Sequence, residues 1–336
     1  MRKNLSPKAA VDYYWIGTGV LYAMEDFHGL NIYGHPREAF QAFVDATTVP
    51  GSREAPDNWK DHVDLGLEMM EYYADHWLKT RDPLKTWWFN GKPAVEINFE
   101  IPIPFDREKL SACGYDSVVA VGTIDRIVID EFERLWLLDY KTAKKMETGH
   151  LSTDPQASTY IMAAHSVFKQ PIAGMIYQQH LKDVPEAPKI LSSGKVSLNK
   201  QQRTTHSLYK ETLTALYGSV QSAPGSNVKF LNELLDNEGE AGDKFIKRDI
   251  IERNEQQSAS ESVKILLECE DMLNPDLPLY PNPTRDCSWD CKFMSPCISL
   301  DDGSDFEHEL EIGYIKSKER GIDTWRTHLK PPLVSG

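Results

Sequence analysis

Apolar residues in the first 80 positions recur every three or four residues, which is the spacing of amphipathic helices. The sequence predicts one helix after Ser6-Pro7, a second from Pro36 and a third capped by Asp57. The third helix carries an apolar stripe that we interpret as core: Leu65, Leu67, Met69, Tyr72 and Trp77. We therefore expect a helical region over 1–90 that packs against the rest of the protein.

The pattern changes near residue 95 to alternating apolar and polar positions, which is typical of half-buried strands. Strands are predicted at 95–101, 118–130 and 134–141, with a hairpin tip at 131–133. A helix over 154–168, with Asp154 as its N-cap, and a strand over 172–179 follow. This order of elements predicts an α/β core over 91–195.

Beyond residue 195 the sequence is mostly polar. It predicts long helices at 198–222 and 249–272, joined by a connection rich in Gly, Pro and Glu around Pro224 and 239–242. The tail from residue 278 is rich in turn-forming residues and contains three cysteines. We expect a helical region over 196–276 and a cysteine-containing segment over 277–336.

The composition is that of a globular protein, with 40% hydrophobic and 26% charged residues among 336. The net charge of −14 argues against broad electrostatic coating of nucleic acid, but it permits a local basic groove and suits a carboxylate-lined metal site. No stretch approaches the roughly 18 apolar residues of a membrane helix. Because no signal peptide is recognisable either, we expect a cytoplasmic protein.

Acidic residues interrupt the apolar strands of the predicted core. Asp139 and Lys141 are two positions apart at the end of one strand, so their side chains project from the same face. Asp125 lies about as far from the hairpin tip as Asp139, so antiparallel pairing would bring the two carboxylates together. On the first strand, Glu96 and Glu100 share a polar face and would add a third carboxylate. Buried carboxylates are costly unless paired or metal-bound, and their oxygens are the ligands that Mg²⁺ and Mn²⁺ prefer.

A simpler interpretation treats Asp139–Lys141 and Asp125–Arg126 as surface ion pairs on a hairpin, because an Asp-x-Lys tripeptide is common. The interruption of Val- and Ile-rich strands by these carboxylates argues against that interpretation. The surrounding pattern argues against it as well.

That pattern has four parts, which occur in order with plausible spacing: Val95-Glu96, GTIDRI at 122–127, DYKT at 139–142 and QASTY at 156–160. Together they resemble the RecB-like branch of the PD-(D/E)XK nuclease superfamily, which includes CRISPR-associated and phage exonucleases. The resemblance covers about residues 94–180. It implies a restriction-endonuclease-like core, a mixed central β-sheet flanked by helices, with helical N- and C-terminal elaborations.

The resemblance also implies the chemistry of the site. Asp125, Asp139 and Glu96 are then the ligands of Mg²⁺ or Mn²⁺, with the Tyr140 backbone carbonyl as a further ligand, and Lys141 is the catalytic lysine. The implied activity is that of a divalent-metal-dependent deoxyribonuclease, an exonuclease acting in recombination, repair or phage replication.

DNA, as linear ends or single strands, is the partner that the resemblance implies, and a helicase, a recombinase or further copies of the chain would explain processivity. Gln156 and Tyr160, one helical turn apart, are expected to contact DNA, as are Lys144 and Lys145 after the catalytic strand. A second basic group is an additional phosphate-binding hypothesis, with a solvated helix face as its alternative: Lys244, Lys247, Arg248 and Arg253.

One position departs from the pattern of the RecB-like branch. The first helix of the family carries G-x-x-x-H-x-x-x-E, whose His is a metal ligand in many members, and segment 17–25 has Leu21 at that position. Glu25 or His28 would be substitute ligands, although an isolated histidine is more often an ordinary core or surface residue.

A separate question is whether the C-terminal cysteines bind a metal cluster. Cys287, Cys291 and Cys297 resemble the C-terminal segment by which some RecB-like nucleases hold a [4Fe–4S] cluster, but the first gap is one residue longer. Such a cluster, or a zinc site, needs four thiolates, so Cys269 or Cys113 would supply the fourth. The alternative is that the three cysteines are small buried residues.

Two other functions are consistent with the sequence. The first is a catalytically inactive nuclease-fold subunit that binds DNA or assembles with partners. It is favoured by leucine at position 21 in place of the family histidine and by the net negative charge of the chain. The presence of Asp125, Asp139 and Lys141 argues against it. A C-terminal zinc-binding recognition module is the third interpretation.

Overall fold

The computed structural model describes residues 5–7, 15–47, 59–238, 244–274, 276–277, 281–288, 291 and 293–316. The helices are α1 (Trp15–His28), α2 (Pro36–Thr47), α3 (Trp59–Thr80), α4 (Arg107–Ala112), α5 (Pro155–Phe168), α6 (His206–Tyr217), α7 (Gly225–Glu238), α8 (Glu255–Leu273), α9 (Met294–Asp302) and α10 (Phe306–Gly313). The strands are β1 (Leu5–Pro7), β2 (Lys85–Thr86), β3 (Trp88–Phe89), β4 (Lys92–Pro93), β5 (Val95–Pro102), β6 (Val119–Ile129), β7 (Leu135–Ala143), β8 (Ile172–Leu181), β9 (Ile246–Ile251) and β10 (Tyr314–Lys316).

A mixed sheet forms the centre of the molecule. Its strand order is β2-β6-β7-β8-β9, and β5 pairs with β6 on the same edge as β2. All neighbouring strands are antiparallel except β7 and β8, which are parallel. A parallel pair needs a crossover connection, and α5 supplies it.

Helices cover both faces of this sheet. On the α1 face, named after the first helix, Val128 and Leu138 join a core with residues of α1, α2 and α3. On the α5 face, Ile127 and Leu137 pack with the buried side of α5. Consecutive residues of β6 and β7 thus alternate between two cores, as the pleat of a strand requires. None of the helices described is long and apolar enough to cross a lipid bilayer.

The strands and the crossover helix of the predicted core are confirmed. β5, β6, β7, α5 and β8 each lie within two residues of their predicted bounds, and α2 begins at Pro36 as predicted. Asp154 is the N-cap of α5, and its side chain accepts a hydrogen bond from the backbone N–H of Gln156. Local periodicity and capping are therefore sufficient to define this part of the chain.

The predicted helix over 249–272 is wrong in its first part. Ile246–Ile251 forms β9, which pairs antiparallel with β8, and α8 begins only at Glu255. Asn254 caps that helix in a capping box with Gln257. Isoleucines at 246, 250 and 251 favour extended structure, and pairing with the free edge of β8 stabilises it, so the region predicted to be helical adds a strand to the sheet.

Two further expectations about helices are corrected. Ser6-Pro7 does not start a helix, because Leu5–Pro7 pairs as β1 with β10, where proline is tolerated in a two-stranded edge. The helix predicted over 198–222 is confined to α6, between the N-cap Thr205 and the left-handed C-cap Gly218.

The connection predicted around Pro224 contains a helix that the sequence analysis missed, α7, which begins at Gly225. It packs with α6 around buried Tyr209 and Phe230 in a small separate core. The Asp57 cap predicted for α3 lies outside the described residues.

Candidate active site

The alternation of side chains between the two faces breaks at Asp125 in β6 and at Glu96 in β5. Ile124 and Ile127 both pack on the α5 face, although residues three apart point to opposite faces in a regular strand. Glu96 has a left-handed backbone with φ of 46°, which is uncommon for residues other than glycine and is often retained at functional sites. Both acids therefore lie at an irregular point of the sheet.

The register of the strands places three acids side by side. The pairs that flank Glu96 in the β5–β6 ladder leave it opposite Asp125. The β6–β7 ladder, continued by one residue, places Asp139 on the other side of Asp125. Because neighbouring strands are about 4.8 Å apart, we call these residues the carboxylate row: Glu96, Asp125 and Asp139.

Asp125 is the central member of the row. Its Oδ2 accepts a hydrogen bond of 2.8 Å from the backbone N–H of Tyr140, and only a limited edge of the side chain is exposed. Burial raises the pKa of Asp125 well above its usual value, and repulsion from Asp139 and Glu96 raises it further. A cluster of acids of this kind needs either a proton or a cation to relieve the repulsion.

Asp139 is almost fully buried, at 3% exposure. Its Oδ1 accepts a hydrogen bond of 3.1 Å from the Gln156 side-chain amide, and its Oδ2 lies 2.8 Å from the Lys141 ammonium. Burial raises the pKa of Asp139, and nearby Asp154 adds to this, while Lys141 and Gln156 partly oppose the increase.

Lys141 completes the group. Its ammonium also donates to Oε1 of Gln156 at 3.0 Å, so the lysine is held between an acid and an amide. Burial by itself would lower the pKa of Lys141, but attraction to Asp139 and Asp125 outweighs it and the pKa is raised. The side chain is therefore a cation at neutral pH, which can donate a proton or stabilise negative charge.

The first turn of α5 brings Gln156 to this group. Oδ1 of the Asp154 cap accepts from the Gln156 N–H at 2.9 Å, and Oδ2 accepts from the Tyr177 hydroxyl at 2.8 Å. Tyr160, one turn further along α5, packs edge-to-face on Phe99 at a centroid distance of 5.7 Å. The predicted Gln156 and Tyr160 thus do lie beside the carboxylate row, and Tyr177 is a contact that the sequence analysis missed because its pattern indicated only a buried strand.

The donor atoms of the row fit a hard divalent cation. All are carboxylate oxygens, and Oδ2 of Asp139 is buried and accepts no hydrogen bond of adequate geometry despite the nearby Lys141 ammonium. Across the described part of the chain, no three acidic, histidine or cysteine side chains already form a complete cation cage. The row is therefore a set of suitable ligands rather than a preformed cage.

The first-helix residues lie on the other side of the sheet. Leu21 packs against the core of the α1 face. Nε2 of His28 lies 2.6 Å from the Tyr73 hydroxyl, and the His28 ring stacks on Tyr140. Burial, followed by the charges of nearby arginines, lowers the pKa of His28 well below its usual value. His28 is thus a neutral residue packed against the core of the α1 face. Its described contacts include none of the acids of the carboxylate row.

The second basic group is divided by the fold. Arg248 lies on the α1 face and forms two ion-pair contacts of 2.7 and 2.8 Å with Asp82. Arg253 donates to the backbone carbonyls of Leu151 and Asp154 at the start of α5. These two arginines therefore have structural contacts, which weakens the hypothesis that they bind phosphate.

The two lysines that follow β7 are on the surface. Lys144 and Lys145 are both exposed, and Lys145 forms an ion pair of 3.2 Å with Glu147. Their predicted contact with DNA stays a prediction.

The cysteines form no metal cluster within the described residues. None of the five forms a disulfide in the described part of the chain: Cys113, Cys269, Cys287, Cys291 and Cys297. The iron–sulfur and zinc predictions therefore have no support from the described geometry.

Comparison with protein families agrees with the fold and the site. A family model of the PD-(D/E)XK nuclease superfamily matches residues 3–298. The chain belongs to this superfamily, and its central mixed sheet flanked by helices is the predicted restriction-endonuclease-like fold. A search of curated proteins found no match. Family membership supports a nuclease acting on DNA, and members generally use divalent metals such as Mg²⁺.

Proposed function

We propose that this protein is a divalent-metal-dependent deoxyribonuclease that hydrolyses phosphodiester bonds. The main observation that supports the proposal is that four side chains lie close together at the irregular point of the sheet: Glu96, Asp125, Asp139 and Lys141. Membership of a nuclease superfamily supports the same conclusion.

In this proposal the carboxylate row holds Mg²⁺ or Mn²⁺, with the Tyr140 backbone carbonyl as a further ligand. The cation would supply a Lewis acid for the phosphodiester and lower the pKa of water. Asp125 and Asp139 provide the negative charge that attracts it, and the repulsion of Asp125 by Asp139 and Glu96 supports a positive partner for the row.

Lys141 has a different role in the proposed reaction. Its ammonium remains protonated beside Asp139 and is available to stabilise charge that develops on the phosphate. Gln156 orients it by accepting one of its hydrogen bonds. Preorganised donors of this kind need no rearrangement at the moment of reaction.

The substrate is proposed to be DNA, as linear ends or single strands, and the reaction to be exonucleolytic, in recombination, repair or phage replication. This part of the proposal is supported by the resemblance of GTIDRI, DYKT and QASTY to the RecB-like branch. Lys144 and Lys145, exposed on the loop after β7, are the proposed phosphate contacts together with Gln156 and Tyr160.

Cleavage assays test the proposal directly. Purified protein is incubated with Mg²⁺ or Mn²⁺ and with linear duplex, nicked, covalently closed circular and single-stranded DNA. Degradation of linear but not closed circular duplex is expected. Lys141→Ala should reduce kcat by at least about 100-fold, because it removes a preorganised charge beside the reacting group.

Lys247→Ala is the matched control. On β9, Lys247 forms an ion pair of 2.9 Å with Asp249, two positions away in the same strand, which repeats the Asp139–Lys141 arrangement outside the carboxylate row. Because Lys247 was also named as a candidate phosphate contact, its loss would raise the KM for DNA, but at saturating DNA this variant should keep the wild-type kcat. A wild-type protein that is inert on all four DNAs and shows no stoichiometric Mn²⁺ binding by calorimetry would instead be the inactive nuclease-fold subunit.

A further inference from the structure

Tyr177 is a buried residue of β8 that faces the same side of the sheet as the catalytic group. It pairs with Asp139 in the parallel β7–β8 ladder, and its side chain belongs to the core of the α5 face. Its exposure is 0%. A tyrosine in this position needs a partner for its hydroxyl, and the identity of that partner links it to the site.

The hydroxyl of Tyr177 begins a continuous chain of hydrogen bonds. It donates to Oδ2 of Asp154 at 2.8 Å, and Oδ1 of Asp154 accepts from the Gln156 N–H at 2.9 Å. The Gln156 side chain then contacts both Asp139 and Lys141, at 3.1 and 3.0 Å. Tyr177 in the buried strand is thus connected to Lys141 through two residues at the start of α5, Asp154 and Gln156.

The ring of Tyr177 makes a second contact with the same lysine. The Lys141 ammonium lies 5.8 Å from the ring centroid, within the range at which a cation is attracted to an aromatic face. Lys141 is therefore fixed from two directions, directly by the ring and indirectly by the hydroxyl. Both restraints originate from one side chain.

We propose that Tyr177 is a positioning residue for Lys141, acting through its ring and through the Asp154–Gln156 connection. This inference rests on the proposed nuclease function. Loss of the hydroxyl leaves Asp154 with one bond fewer and allows the first turn of α5 to shift, so Gln156 no longer fixes the ammonium. Small displacements of a positioned group reduce turnover more than they reduce substrate binding.

Tyr177→Phe tests the proposal, since it removes the hydroxyl and keeps the ring. We expect kcat to fall about 5- to 10-fold, the change that follows from the loss of one hydrogen bond. The KM for DNA and the Kd for Mn²⁺ should stay within about twofold of the wild type. An unchanged kcat, or a rise in KM alone, would overturn the proposal.

Tyr209→Phe is the matched control for an ordinary structural hydroxyl. Tyr209 is also 0% exposed, and its hydroxyl contacts the Ser197 carbonyl and the Asn227 side chain in the separate α6–α7 core. It should lower the midpoint of thermal unfolding while leaving kcat unchanged. If both variants lower kcat by the same factor, the effect is one of stability and positioning is excluded.

A double variant tests whether the chain of contacts is real. Gln156→Ala removes the last link, so Tyr177→Phe in that background should add less than about twofold to the loss of kcat. Independent multiplication of the two losses would mean that Tyr177 does not act through Gln156.

A labelling experiment keeps this inference distinct from the nuclease proposal. Brief acetylation followed by mass spectrometry should show that Tyr177→Phe increases the modification of Lys141 severalfold, with Lys247 as the internal reference, whether or not the protein cleaves DNA. Unchanged labelling of Lys141 would refute positioning even if the wild-type protein is an active nuclease. Increased labelling in a protein that is inert on DNA would retain positioning and reject the nuclease.

Discussion

Replacing Asp125 with asparagine removes one negative charge from the centre of the carboxylate row and preserves the shape of the side chain. The remaining carbonyl oxygen can still accept from the Tyr140 N–H, now 2.8 Å from Oδ2. The new amide N–H groups are donors, and the neighbouring Asp139 and Glu96 are acceptors. We therefore expect Asp125→Asn to stabilise the cation-free protein.

The size of this effect follows from the strand spacing. Charges on neighbouring strands, about 5 Å apart, repel by roughly 3 kcal/mol at an effective dielectric constant near 20. Lys141 and the Tyr140 N–H offset part of the repulsion. At a pH high enough to ionise Asp125 in the wild type, we expect a net stabilisation of about 1–3 kcal/mol, which corresponds to an increase in Tm of roughly 1.5–4 °C for a chain of 336 residues.

In the presence of a cation, Asp125→Asn should have a lower Tm than the wild type instead of a higher one. Mn²⁺ at 100 times its Kd should stabilise the wild type by about 2.7 kcal/mol, whereas Asp125→Asn should lose most of this increment. Differential scanning calorimetry with EDTA and with Mn²⁺ measures both quantities. The diagnostic result is that the order of the two Tm values inverts between the conditions.

The pH dependence has a defined sign as well. Burial and neighbouring acids raise the pKa of Asp125 in the folded state, so the folded protein retains this proton to a higher pH than the unfolded chain does. The contribution of Asp125 to the cation-free stability should therefore fall as the pH rises above about 4, the unfolded value, in the opposite direction to the contribution of buried histidines. The fall should be smaller in Asp125→Asn.

Asp130→Asn is the control, and its expected change in Tm is opposite to that of Asp125→Asn. Asp130 closes the β6–β7 hairpin by accepting from the backbone N–H groups of Phe132 and Arg134 and from the side chains of Arg134 and Trp136. Although burial would raise its pKa, these hydrogen bonds lower the pKa of Asp130 to about 2. Asp130→Asn should therefore lower Tm. If Asp125→Asn lowers Tm by a comparable amount in the absence of a cation, the reasoning about the carboxylate row is refuted.

Three further predictions concern groups around the site. Arg248→Ala should destabilise the protein by about 1–3 kcal/mol in urea unfolding, because the half-buried carboxylate of Asp82 loses both contacts with the guanidinium and keeps only the Leu84 N–H among its described partners, and it should not change the salt slope of DNA binding. Burial lowers the pKa of His180 to about 3, so stability should fall by up to about 1.4 kcal/mol per unit as the pH decreases below 6.5, and a flatter profile is expected in His180→Gln. Alanine at Lys144 and Lys145 should reduce the salt slope of DNA binding by about 1 for each phosphate that these lysines neutralise in the wild type, and an unchanged slope would show that they do not bind phosphate.

Much of the site could be predicted from the sequence because the signals that define it are local. The alternation in β5 and the apolar runs of β6 and β7 define strands without reference to distant residues. Equal distance from a hairpin tip is sufficient to predict that Asp125 and Asp139 meet. An Asp followed by Pro predicts the cap of α5, whereas the expectation that Gln156 lies at the site came from the family resemblance.

The elements that were missed depend on contacts between distant segments. β9 has a sequence compatible with either a strand or the start of α8, and the unpaired edge of β8, some 70 residues away, decides the outcome. His28 follows the first helix at a position where it would substitute for the missing ligand, but packing of α1 on the other face of the sheet places it against Tyr73.

The sequence by itself therefore determined the strands β5 to β8, the cap of α5 and the candidate ligands, because these depend on neighbours within a few positions. Only the tertiary structure decided that the pleat breaks at Glu96 and Asp125, and that Tyr177 lies beneath Lys141. The physical reason is that strand pairing and burial select among locally acceptable conformations through contacts between segments far apart in the chain.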